Sequence, residues 1–165
     1  MKYAREYIER LLHDTKPLEA LERLGAIWSA REGVSEDKLF FGFSEPEFHV
    51  HMYLLYQGEV GNGGHAQFFM NPSGRYVHAV ESALLALGFD DALAILRRVC
   101  SEFPGGVVPC DHQKREDVIG SLSEETFTRW AELDKGFYKI DSRYWEPLMA
   151  YLRKNDEQVL QPERK

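Results

Sequence analysis

The stretch from Ser44 to Gly74, SEPEFHVHMYLLYQGEVGNGGHAQFFMNPSG, constrains this chain more than any other. It joins a helical pattern that is apolar on most of its circumference to a glycine turn, and then to a second, aromatic helical turn. A helix apolar nearly all round must be buried nearly all round, so other elements have to pack about it. Ser44 is placed as its N-cap, with Glu47 in the capping-box position and Pro46 compatible with a first turn. Phe48, His51, Met52 and Leu55 make one face, and Val50, Tyr53, Leu54 and Tyr56 make a second apolar surface. Gly58 is expected to end this helix and Asn62 to cap the next, with Gly63 and Gly64 allowing the backbone a close approach. Gln67, Phe68 and Phe69 fill a short helix. Asn71 is expected to close it in a left-handed conformation before Pro72, and Ser73 to cap the helix that follows.

The rest of the chain reads as helices around this centre. Tyr3, Tyr7, Ile8, Leu11 and Leu12 share one face. Leu18, Leu21, Leu24, Ile27 and Trp28 form the stripe of a second helix, which accepts Pro17 in its first turn and stops at Gly33. The run Leu39-Phe40-Phe41-Gly42-Phe43 fits a short helix or a buried extended segment equally. Beyond the glycine motif, Tyr76, Val77, Val80, Leu84 and Leu87 precede a stop at Gly88, and Ala92, Leu93, Leu96, Val99 and Cys100 precede Pro104-Gly105-Gly106. Residues 104–120 show no stripe and read as loop or short turns. Ser121 with Glu124 repeats the capping-box pattern ahead of Phe127, Trp130, Leu133 and Phe137. Tyr144, Trp145, Leu148, Met149 and Leu152 mark the last helix, with its start near Glu146 and a fraying tail after Asp156. No period-2 strand pattern intervenes, so the prediction is an all-α fold. At 165 residues, 44% of them hydrophobic, the chain suits one core better than two. A single compact multi-helix domain is expected over residues 1–156, with a polar tail at 157–165.

Charge narrows the function classes. The net charge of -7 comes from 27 acids and 20 bases, unevenly spread. Residues 35–60 carry five acids against one base, and residues 101–136 carry eight against four. Glu45, Glu47, Asp90, Asp91, Glu124 and Glu125 lie at expected helix starts, where the helix dipole favours carboxylates for structural reasons. Glu36, Asp37, Asp111, Glu116 and Asp117 have no such explanation and are assigned to an exposed negative patch. Glu36, Asp37, Glu116 and Asp117 are taken as its binding residues. An acidic chain without a basic face repels phosphate, so direct binding to nucleic acid or an anionic membrane is not expected. No apolar stretch approaches the roughly 20 residues that span a bilayer, and MKYAREYIERLLHD lacks the apolar core of a signal peptide. A cytoplasmic protein is expected, with Cys100 and Cys110 as unpaired thiols.

The search for chemistry gives little. His49 and His51 stand two apart, on opposite sides of a helix, and do not make a chelating pair. No spacing suggests a metal site, and no cofactor motif is present. Gly61-Asn62-Gly63-Gly64 lacks the Lys-Ser/Thr of a Walker loop and a preceding strand, and no GxSxG elbow exists. His65, beside the glycine pair, is the best acid/base candidate; a hydrogen bond to the turn explains it as well. No catalytic residue is assigned.

The segment Glu59-Val60-Gly61-Asn62-Gly63-Gly64-His65-Ala66-Gln67-Phe68-Phe69-Met70-Asn71-Pro72-Ser73-Gly74 resembles the signature of the DNA-mimic-protein-type family. Glu59, Asn62, Gly63, Gly64, Gln67, Phe68, Phe69, Asn71 and Gly74 carry the likeness. The apolar helix before it, the Ala- and Leu-rich helices after it and Leu133-Asp134-Lys135-Gly136-Phe137-Tyr138 also fit, over residues 20 to 152. Gly61 stands where the family has the first asparagine of a pair, and His65 where an aromatic is common. The resemblance implies an all-α, dimeric, acidic protein that occupies the DNA-binding surface of a regulatory protein, and a non-enzymatic binding protein is the leading expectation. The expected partner is thus a basic protein, a DNA-binding regulator, together with a second copy of the chain. Two other readings stand beside it: an enzyme with Glu59, Asn62, His65 and Gln67 around a pocket, and an immunity-type module that binds through a non-acidic face.

Overall fold

The computed structural model describes residues 5–29 and 42–160. Every regular element among them is helical, in agreement with the all-α prediction. Tyr3, Gly33, the run from Leu39 to Phe41, and the candidate residues Glu36 and Asp37 lie outside the described residues. The chain packs as two compact units, Met1–His51 with Arg143–Lys165, and Met52–Ser142.

The first unit holds α1 (Arg5–Leu12), α2 (Pro17–Ser29), the opening turns of α3 (Glu45–Met70), α8 (Trp145–Lys154) and α9 (Asp156–Val159). Apolar residues three and four apart turn inward: Ile8, Leu11 and Leu12 from α1, Leu21, Leu24, Ile27 and Trp28 from α2, Leu148, Met149 and Leu152 from α8. The capping box at Ser44 forms, with the Ser44 N–H donating to Glu47 Oε2 at 2.9 Å and the reciprocal bond long at 3.5 Å. Glu47 is itself buried, and Trp28 Nε1 donates to its other oxygen at 3.0 Å. One carboxylate thus starts α3 and ties it to α2, with donors offsetting its loss of water. The tail expected to fray after Asp156 is folded further, because Val159 and Leu160 are buried.

The second unit takes the rest of α3, α4 (Val77–Leu87), α5 (Asp90–Cys100), α6 (His112–Gly120) and α7 (Glu124–Tyr138), with short 3-10 turns at Pro72–Tyr76 and Pro104–Gly106. Its aromatic side chains pack mainly edge to face. Tyr56 lies 5.2 Å from Phe68 and 5.1 Å from Phe137, and Phe69 lies 5.0 Å from Phe103 between ring centroids. Gly88 stops α4 in the left-handed conformation, as its position predicts. Cys100 and Cys110 are free thiols.

Several local expectations fail here. Helix α3 does not stop at Gly58 but runs on through Gly61 to Asn62. A helical glycine costs only about 1 kcal/mol relative to alanine, which burial of Tyr53, Tyr56 and Val60 on the same helix outweighs. Asn71 is extended, at φ -82° and ψ 162°, and Ser73 sits inside a 3-10 turn instead of capping a helix. The cap of α7 is Ser123, whose hydroxyl accepts from the Thr126 N–H, and not Ser121. Residues read as loop contain α6. That helix buries Arg115 and Ile119 and has no apolar stripe for periodicity to detect.

Candidate functional site

The glycine motif lies wholly within the second unit, where α3 breaks at Gly63 (φ -159°, ψ 26°) and Gly64 (φ 72°, ψ -175°). The second of these conformations is open only to glycine at modest strain. Helical backbone resumes at His65, whose N–H needs an acceptor. Asn62, expected to supply it, is exposed and makes no side-chain hydrogen bond to a described residue. The acceptor comes from far along the chain: Asp134 Oδ1, on α7, takes the His65 N–H at 2.9 Å. The same carboxylate is bonded to His65 Nδ1. Gly64 is a socket for it, since a Cβ there would fall on the carboxylate. Because a carboxylate only accepts, Nδ1 carries a proton toward Asp134, and Nε2 is hydrogen-bonded to the Tyr56 hydroxyl at 2.6 Å. Tyr56 and His65 are buried, and burial pushes the Tyr56 phenol well up.

A second carboxylate holds the break from the other side. Glu59, near the end of the long arm of α3, accepts from Gln67 Nε2 at 2.9 Å, Asn71 Nδ2 at 2.7 Å and Ser73 Oγ at 2.6 Å. All three donors lie beyond the glycines, so one side chain draws the two arms together. Burial works to raise the Glu59 carboxyl, but the bonds from Ser73, Gln67 and Asn71 outweigh it and hold the group below the usual glutamate range.

The motif ends in a third charged contact. Arg115 of α6 is fully buried, and its guanidinium donates to backbone carbonyls: Nε to Phe69 at 2.6 Å, Nη2 to Asn71 at 2.9 Å, Nη1 to Pro109 at 2.9 Å and Cys110 at 3.1 Å. Phe69 belongs to the last turn of α3, whose carbonyls have no intrahelical partners, so the cation also meets the negative end of a helix dipole. Burial lowers the guanidinium from its usual value. Gly74 gives it room, since a Cβ there would stand 2.7 Å from Arg115 Nε and 2.9 Å from the Phe68 carbonyl. Two motif glycines are thus seats for one acid and one base that arrive from later helices.

Among the residues expected to line an enzyme pocket, His65 is buried with both ring nitrogens engaged, and both oxygens of Glu59 accept bonds within the motif. Gln67 is spent on Glu59, and Asn62 is exposed. The cluster serves the backbone that carries it. Among the described residues no group of three or more His, Cys, Asp or Glu could hold a metal ion, and no helix is long and apolar enough to cross a membrane.

The acidic candidates separate from the motif. The second unit holds 13 of the 27 acids but 8 of the 20 bases, a balance of -5. Several of those bases are matched locally: Arg129 grips Glu102 through two bonds of 2.9 and 2.8 Å, Arg97 pairs with Glu81 at 2.7 Å, and Lys135 with Glu132 at 2.7 Å. From Asp111 to Glu125 the acids are Asp111, Glu116, Asp117, Glu124 and Glu125, against Lys114 and Arg115. Arg115 is withdrawn into the interior, which leaves Lys114 as the exposed base of this stretch. Asp117 is exposed, two residues on from the inward Arg115, and accepts from Gln113 at 3.0 Å; Glu116 is half-buried, 3.5 Å from His112 Nε2.

Sequence reasoning missed Tyr56 and Arg115 as members of this arrangement and met Asp134 only as part of a family-like segment. Little in the local sequence marks Arg115, because four of its five hydrogen-bond contacts are to main-chain carbonyls and the fifth is to His112 Nδ1 at 3.3 Å. Comparison with curated proteins and with solved structures gives no match. Residues 42–155, which contain the glycine motif, Arg115 and Asp134, match the family described as DMP19-like protein. The match spans well over half of the 165 residues, and the chain belongs to the DMP19-like protein family.

Proposed function

We propose that this chain is a non-enzymatic acidic binding protein whose carboxylate face on α6 and the first turn of α7 engages a basic protein partner. The observation that carries the reading is the run of five acids from Asp111 to Glu125, four exposed and Glu116 half-buried, beside one exposed base, with the second base buried. Family membership favours a partner that binds DNA, so that the acidic face occupies the surface a duplex would take. Glu36 and Asp37 join Glu116 and Asp117 as binding residues in this proposal, on sequence grounds.

Charge density sets a condition on mimicry. Duplex DNA carries one charge per roughly 1.7 Å of axis, so a net -7 equals the phosphate charge of only about 12 Å of duplex. A two-fold pair of chains doubles both figures, which is why a homodimer belongs to the proposal.

The test is binding of a labelled arginine hexapeptide, followed by fluorescence anisotropy across a salt series. Affinity is expected to fall steeply with salt, and to fall about tenfold or more on Glu116→Lys with Asp117→Lys, since reversing exposed charges changes steering and contact together. A DNA-binding regulator held by the chain is expected to be released by duplex DNA. Binding that ignores salt, or that survives the double reversal unchanged, overturns the proposal.

A further inference from the structure

We propose that Arg115 is the positioning residue of the acidic face, and that through it the face is coupled to the glycine motif; the inference rests on the binding reading above. Helix α6 has little apolar surface of its own to hold it, with Ile119 buried and Val118 half-buried. Its place is set by the guanidinium. Two of the donors hold the carbonyls of Pro109 and Cys110, immediately before the N-cap Asp111, whose carboxylate accepts the Lys114 N–H at 2.9 Å. The other two hold Phe69 and Asn71 at the exit of α3. The Asn71 side chain continues the path, donating to Glu59 on the far side of the glycine break. An unbroken series of hydrogen bonds therefore runs from Glu59 through Asn71 and Arg115 to the start of the helix that presents Glu116 and Asp117. A planar fork of five N–H groups is the side chain able to serve four carbonyls in fixed directions, and an ammonium is not.

The inference separates from simple attraction by net charge, because the two predict opposite signs. Arg115→Met moves the net charge from -7 to -8, which on charge alone strengthens capture of a cation. Loss of position weakens it. Arg115→Lys keeps the charge, so charge alone predicts no change, whereas positioning predicts loss here too. Both variants are expected to bind the arginine hexapeptide about tenfold more weakly than the parent, while retaining helical circular dichroism and cooperative unfolding. Folded variants that bind as tightly as the parent, or a methionine variant that binds more tightly, overturn the proposal.

Hydrogen exchange on the unaltered chain decides the matter where a variant does not fold. With the hexapeptide bound, amides of 111–120 and of 69–76 are expected to gain protection together. Protection confined to 111–120 overturns the coupling and leaves the binding reading standing. Protection at neither segment overturns the binding reading itself, and the coupling with it.

Discussion

If Gly64 is a glycine because Asp134 needs its space, the two positions must fail together. Asp134→Ala strands the His65 N–H and the imidazole N–H, both now held by one carboxylate oxygen. Hydrogen bonds to a charged group contribute about 1.5–3 kcal/mol each, so the loss of two is about 3–6 kcal/mol. Gly64→Ala puts a methyl group where the carboxylate sits and forfeits the same bonds. It also places a side chain at φ 72° and ψ -175°, a strain of about 1–3 kcal/mol. The expected loss is therefore about 4–9 kcal/mol. In the double variant the bonds are lost once, not twice, so its loss stays near that of Gly64→Ala. The coupling energy is then about 3–6 kcal/mol. Urea unfolding followed by circular dichroism, with an excluded osmolyte to keep the weakest variant folded, measures all four corners of the cycle. Losses that add to within about 0.5 kcal/mol refute the socket, because they would mean that the glycine serves backbone strain alone.

Glu59 and the cysteines give two further tests. The folded-state value of Glu59 lies below the unfolded one, so its ionised form stabilises the fold. That contribution is complete above the unfolded carboxyl value and disappears as pH falls through the folded one. The deficit of Glu59→Gln in urea midpoint should thus narrow below about pH 4, and a deficit that stays constant with pH refutes the assignment. Cys110 is exposed, whereas burial pushes the half-buried Cys100 thiol up to about 12. A disulfide reagent at neutral pH is expected to label one thiol quickly and the second only after unfolding; equal rates would contradict the burial of Cys100.

The parts of the fold that were legible in the sequence share a cause. Helices α1, α2, α5 and α8 bury residues three and four apart, and the Ser44 capping box and the Gly88 stop depend on neighbours within four or five residues. Interactions of that range are written in the local order of side chains. The misplaced boundaries at Gly58, Asn71 and Ser121 show the limit of the same method. A glycine or a serine states what the backbone can do there, while packing of Tyr56 and Val60, or of Thr126 against Ser123, decides whether it does.

The candidate site divides along the same line. That Asp117, Glu124 and Glu125 form part of an acidic segment is a property of composition, and the glycine motif was legible as a run of residue types. That the motif receives Asp134 at Gly64 and Arg115 at Gly74 is a property of the folded chain, since those partners stand 70 and 41 positions away in the numbering. The all-α character of the described residues, the helix faces and the excess of carboxylates followed from the sequence, because each depends on near neighbours or on a count. Which glycines are seats for charge, and which arginine is buried, only the tertiary structure decided. Both depend on hydrogen bonds to main-chain groups, which every residue possesses and no side-chain pattern can single out.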